Sequence, residues 1–129
     1  MVARLPAMDL RYLDFDDSED ADGHGCFEAM ASTTASHVAA VRSEVAHVLA
    51  WAWAQFPQGP ASLDEGGEWD YQLDAQQEWS ANEALVYDPG TGQFSSVLGP
   101  PGVPRHTVTL SLVGRSAFCQ AFRTQFAQG

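Results

Sequence analysis

The sequence predicts an α+β domain of two layers, in which a mostly antiparallel sheet of about six strands carries two helices on one face. Three observations lead there. Apolar residues recur at three- and four-residue steps in two places, Val38 to Ala52 and Phe118 to Phe126, as an amphipathic helix requires. Elsewhere apolar and polar residues alternate in short runs, and two of those runs flank the hairpin linker Asp88-Pro89-Gly90-Thr91-Gly92. The chain of 129 residues is 45% apolar, with four Trp, seven Phe and three Tyr, enough for one packed core without metal or disulfide staples. A single domain over 1–129 is therefore expected, with residues 1–8 as a loosely ordered N-terminal extension.

In chain order, Leu10 to Phe15 is rich in strand-forming residues and reads as the first strand. Asp16 to Gly25 combines a run of acids with Gly23 and Gly25, turn chemistry that predicts a long acidic loop. Cys26 to Ser32 alternates again, Phe27, Ala29 and Ala31 against Cys26, Glu28 and Met30, and would pair back as an antiparallel hairpin. A helix comes next, over about 36–56: Val38, Val41, Val45, Val48 and Ala52 form its stripe, Thr34 or Ser36 can cap it, and Pro57 and Gly59 stop it.

After a loop at Leu63 to Gly67, Glu68 to Asp74 alternates strictly, with Trp69, Tyr71 and Leu73 facing in and Glu68, Asp70, Gln72 and Asp74 facing out. Ala84 to Asp88 and Gln93 to Leu98 make the second hairpin, and the Pro-rich stretch from Gly99 to Pro104 must be a surface connection. Thr107 to Val113 is the last strand, with Val108, Leu110 and Leu112 inward. Gly114 breaks it, Ser116 can cap the closing helix, and Phe118, Phe122 and Phe126 give that helix an aromatic stripe.

Charge excludes more than it assigns. The net charge is −11 without a single lysine, a field that disfavours nucleic acid and anionic membrane surfaces. Residues 1–88 hold all seventeen carboxylates against three arginines, a balance of −14, whereas residues 89–129 hold three arginines and no acid. No apolar run approaches the ~20 residues of a membrane helix, and Met1 to Leu10 lacks the apolar core of a secretory signal, so a cytoplasmic address is expected. Cys26 and Cys119 lack CxxC or histidine-partner spacing and read as small hydrophobes rather than zinc ligands or a disulfide.

Four groups are candidates for chemistry. The loop from Asp14 to His24 invites a divalent metal, but the EF-hand register fails: with Gly23 at position six the last position falls on Ala29 instead of a bidentate glutamate. Asp20, Asp22 and His24 remain as a non-EF set whose histidine suits a transition metal, against the plainer reading of a charged hairpin tip that discourages edge pairing. Glu68, Asp70 and Asp74 share a strand face on which residues two apart lie about 7 Å from each other, a separation a carboxylate-based hydrolase could use, although any acidic, solvated strand face yields the same spacing. Trp51 lies one helical turn after His47 and off the valine stripe, either as a contact patch or as a residue covered by a loop. Cys26 comes directly after His24 and Gly25, but neighbouring carboxylates would raise its thiol pKa and weaken it as a nucleophile.

No GxSxG, HExxH or phosphate-binding glycine pattern occurs. The expectation is an acidic protein-binding module without catalytic activity or cofactor, docking a basic protein partner or self-associating. The alternative is a metal-assisted or carboxylate-based hydrolase acting through the acidic loop or the acidic strand face.

Overall fold

The computed structural model describes residues 10–126. The expected N-terminal extension at residues 1–8 lies outside them. The class is α+β, and the described residues form six antiparallel strands in two sheets and two helices. The strands are β1 (Asp16–Glu19), β2 (Gly25–Thr34), β3 (Trp69–Glu78), β4 (Glu83–Asp88), β5 (Gln93–Leu98) and β6 (Arg105–Gly114). The helices are α1 (Val38–Gln55) and α2 (Ser116–Gln125). Four strands form one sheet in the order β1-β2-β6-β3, while β4 and β5 pair only with each other.

Period-two patterning sets the faces of the large sheet. Phe27, Ala29 and Ala31 on β2 and Val108, Leu110 and Leu112 on β6 are buried, and their cross-strand pairing, Phe27 with Leu112, Ala29 with Leu110 and Ala31 with Val108, gathers them on one side. Both helices bury their stripes against that side. Val41, Val45, Val48 and Ala52 of α1 and Phe118, Cys119, Phe122 and Phe126 at α2 belong to the same core. Phe122 stacks on Phe27 with ring centroids 4.2 Å apart, and Trp69 stacks on Phe118 at 5.5 Å with an interplanar angle of 4°. The Trp69 indole N–H is buried without an acceptor among the described residues, a cost of about 1–3 kcal/mol that the packing around the ring must exceed.

Four expectations need correction. Leu10 to Phe15 is not a strand. Its backbone N–H groups at Arg11, Tyr12 and Leu13 donate to the Glu44 carboxylate of α1 at 3.0–3.1 Å, so the segment crosses a helix while Leu13 inserts into the core. The edge strand is instead the acidic Asp16–Glu19, exposed throughout, where no hydrophobic period exists to be read. Next, the six strands do not share one sheet: between the Glu78–Arg105 and Glu83–Leu98 pairs the segments 79–82 and 99–104 differ in length and interrupt the regular ladder, so β4 and β5 form a second sheet. Leu63 to Glu65 is a 3₁₀ turn with Leu63 buried, closed by Gly66 at φ 91°, the left-handed region that glycine tolerates. Lastly, neither Thr34 nor Ser36 caps α1, whose N-cap is His37 without a side-chain bond; a 3₁₀ turn at Ala35–His37 leads into it.

The β3 and β6 strands continue past the sheet. Their ladder runs to the pair Glu78 and Arg105, is carried on by backbone bonds from Gly102 to Ser80 and from Gly99 to Asn82, and passes into the β4–β5 pairing at Glu83 and Leu98. A single two-stranded ribbon thus spans Trp69 to Gly114, its proximal half in the sheet and its distal half an arm. Every residue of β4 and β5 is exposed.

Candidate functional site

The side of the sheet away from the helices gathers acidic side chains from three strands. Pleating places Glu28 and Met30 of β2, Ser111 and Thr109 of β6, and Gln72 and Asp74 of β3 in adjacent rows on this side, with Cys26, Val113 and Asp70 at one end and Thr34, Arg105 and Glu78 at the other. β1 adds Asp16, directly opposite Glu28. Five carboxylates therefore share the face, and among the described residues none of them has an ion-pair partner. Their hydrogen bonds are local: Ser111 donates to Glu28 at 3.1 Å, Gln72 to Asp74 at 3.0 Å, Gln76 to Glu78 at 3.1 Å, and the Tyr71 N–H to Asp70 at 2.9 Å. Arg105, the cation at the rim, is directed instead to the Ser32 hydroxyl and carbonyl at 2.9 Å. Met30 stands 66% exposed between these acids, an apolar and adaptable side chain on a charged surface.

Of the residues expected on this face, Asp70 and Asp74 lie there and Glu68 does not. Glu68 precedes β3, and its carboxylate accepts the Phe118 N–H at 3.2 Å, satisfying one of the free donors at the start of α2. Trp51 is half-buried, its ring against Phe118, Phe122 and Phe126 at 5.1–5.9 Å, so internal packing takes it up. The exposed indoles are Trp53 and Trp79.

Asp20, Asp22 and His24 come together in the β1–β2 turn, with one ligand atom from each lying within 4.8 Å of the others. The turn accounts for the arrangement. One Asp20 oxygen accepts the Asp22 and His24 N–H groups at 2.9 Å, and the other lies 3.3 Å from the His24 ring. The His24 backbone N–H, first among those contacts, holds the Asp20 carboxyl below its ordinary range. A cleft of about 640 Å³ lies where α1 ends and α2 begins, lined by Phe56, Gly59, Glu65, Gly67, Glu68 and Ala117 among others. Asp70 and Asp74 are not among its walls, so the expected acidic row is divided between a concave and an open surface. Cys119 is buried beneath α2, donates to the Gly114 carbonyl at 3.2 Å and has its thiol pKa raised by burial, which leaves it protonated. Cys26 is half-buried at the sheet face.

Asp17 points to the helix side of β1, where the Arg123 guanidinium donates to it through Nε at 2.7 Å and through its terminal nitrogen at 3.0 Å. That fork fixes the edge strand to α2, and the hydrogen bonds from Arg123 lower the Asp17 pKa below the ordinary 3.8. A lowered folded-state pKa gives stability that is present above the unfolded value and lost as pH falls through the folded one. Asp17→Asn should therefore cost up to about 1 kcal/mol in chemical denaturation at neutral pH, because the pair is partly solvated. The gap from the native chain should close as pH drops below about 3.8; a gap that persists unchanged in acid would contradict the pairing.

What fold and site define is an α+β domain with one side of its sheet buried under two helices and the other open and acidic. Compared with protein-family models, curated protein sequences and solved structures, the chain matches none. Among the described residues no helix is long and apolar enough to cross a membrane.

Proposed function

We propose that this is a cytoplasmic protein-binding module that docks a basic protein partner on the open face of its sheet. One observation carries the reading: Asp16, Glu28, Asp70, Asp74 and Glu78 share a face on which none of them is ion-paired among the described residues, with exposed Met30 between them. Carboxylates left without cations repel one another, and like charges directly opposite, such as Asp16 and Glu28, weaken the sheet. A partner presenting Lys and Arg removes that repulsion, and electrostatic complementarity of this kind speeds encounter and rejects acidic competitors. Met30 would supply the desolvated contact that rim charges do not. Nucleic acid is a poor occupant, since its phosphates meet the same field.

The immobilised chain should retain from a low-salt lysate proteins that added salt releases. Retention should fall at least tenfold in a Glu28→Gln, Asp70→Asn, Asp74→Asn variant, whose thermal transition should not drop because these side chains are outside the core. Equal retention by native chain and variant would overturn the proposal.

A further inference from the structure

The arm formed by β4 and β5 is an element without a partner among the described residues. Leu85, Val86, Tyr87, Phe94, Val97 and Leu98 are 54–70% exposed on it, and Trp79 and Val103 at its base are 58% and 74% exposed. An isolated two-stranded ribbon is marginal in water, because neither face is covered and every strand is an edge. The cross-strand register puts Leu85, Tyr87, Phe94 and Leu98 on one face, with the Tyr87 and Phe94 rings 5.2 Å apart. At roughly 100 Å² of exposed surface apiece the whole arm offers on the order of 800 Å² of apolar area, but Val86 and Val97 lie on the opposite face, so the four side chains on this one supply on the order of 400 Å² per copy, the scale of a small, weak interface.

We propose that the occupant is the arm of a second copy of this chain, packed face to face about a two-fold axis. Charge decides for a second copy. The chain carries −11, yet residues 79–104 hold only Glu83 and Asp88. Glu83, at the base of the apolar face, accepts the Ser96 hydroxyl at 2.6 Å, and Asp88, on the opposite face beside the turn, accepts the Gly90 N–H at 2.8 Å, so one carboxylate at its edge is the charge that the apolar face carries. Ten residues of ribbon beyond Glu78 reach up to about 30 Å, several times the ~8 Å screening length at physiological salt, so joined tips keep the acidic bodies apart. The arm also lacks lysine and arginine, leaving nothing on it to select an acidic partner, while a basic partner is better met by the sheet face. An apolar face meeting its own copy is complementary by symmetry.

Sedimentation equilibrium of the full chain over concentrations from micromolar to about 1 mM, in low and high salt, tests this. The chain should be dimeric, and salt should tighten the dimer by screening the repulsion between bodies. Leu85→Ser with Phe94→Ser should raise the dissociation constant at least tenfold with the core's thermal transition retained, whereas Asp70→Asn with Asp74→Asn should leave the dimer intact. A native chain that stays monomeric, a dimer that the arm substitutions do not weaken, or a dimer loosened by salt would overturn the proposal. So would a monomer whose arm instead binds phosphatidylcholine vesicles.

Discussion

Phe122→Ala should destabilise the protein by about 3–5 kcal/mol, the range for removing a fully buried phenylalanine. The ring is 0% exposed at the junction of both layers. It stacks on Phe27 of the sheet, meets Phe15 edge-on at 5.1 Å, and touches Trp51 of α1 and Phe118 and Phe126 at its own helix. None of these neighbours can fill the vacated volume alone, because each is held by another contact: Phe118 by Trp69, Trp51 by Phe126. Small domains have only about 5–15 kcal/mol in total, so a large part of the margin should disappear. Urea unfolding should show a lower midpoint at an unchanged slope, and a loss below about 1 kcal/mol would mean that α2 does not clamp the sheet through this ring.

Gly114→Ala should cost at least about 1–3 kcal/mol through overpacking. A Cβ at Gly114 would lie 2.3 Å from Phe118 Cδ1 and within 2.8 Å of two more atoms of that side chain. Phe118 cannot yield, being 0% exposed between Trp69, Trp51 and Phe56. Gly114 pairs with Gly25 on one side and Trp69 on the other, and a Cβ at Gly25 would meet Cys119 Sγ at 2.3 Å. Two glycines side by side thus let α2 approach the sheet while a tryptophan fills the space beside them. Gly90→Ala is the matched control: it meets only the flexible Asp88 carboxylate at 3.2 Å in an exposed turn, and should change stability little. Equal losses at the two sites, read by thermal or urea unfolding, would rule out the steric account.

Where burial is one-sided, the sequence was a good guide to the fold. The valine stripe of α1, the phenylalanine stripe of α2 and the alternation of β2 and β6 each have one covered face, so periodicity and position coincide. On β3 they coincide only at its start: Trp69 is buried and Tyr71 half-buried, but Leu73, which the alternation turns inward, is 44% exposed. Where burial is absent or irregular, the same reasoning had nothing to hold. β1 is exposed on both sides, and Leu10 to Phe15 takes its partners from a helix carboxylate that no local pattern announces. The hairpin of β4 and β5 is legible from its linker, but its separation from the larger sheet is not, because it depends on segments 79–82 and 99–104 being of unequal length once the distant β3 and β6 are in register. Among candidate residues, Asp70 and Asp74 are legible from alternation. Spacing alone groups Glu68 with them, although the strand begins one residue later and α2, distant in sequence, claims its carboxylate. Alternation puts Met30 on the outward row of β2, but its prominence appears only with the acids brought around it from three strands.

The continuous ribbon from Trp69 to Gly114 also bears on the order in which the chain folds. Its tight turn at Asp88 to Gln93 closes over only a few residues, and hairpins of this kind form in about 1–10 μs. From that turn the ladder can extend inward pair by pair, each step adding little loop-closure entropy, until Trp69 reaches Gly114 and α2 comes directly after in the chain. β2 has no such route. Its pairing of Gly25 with Gly114 closes most of the chain in one event, so the late step in folding should be the arrival of β2 on a β3–β6 hairpin that already exists.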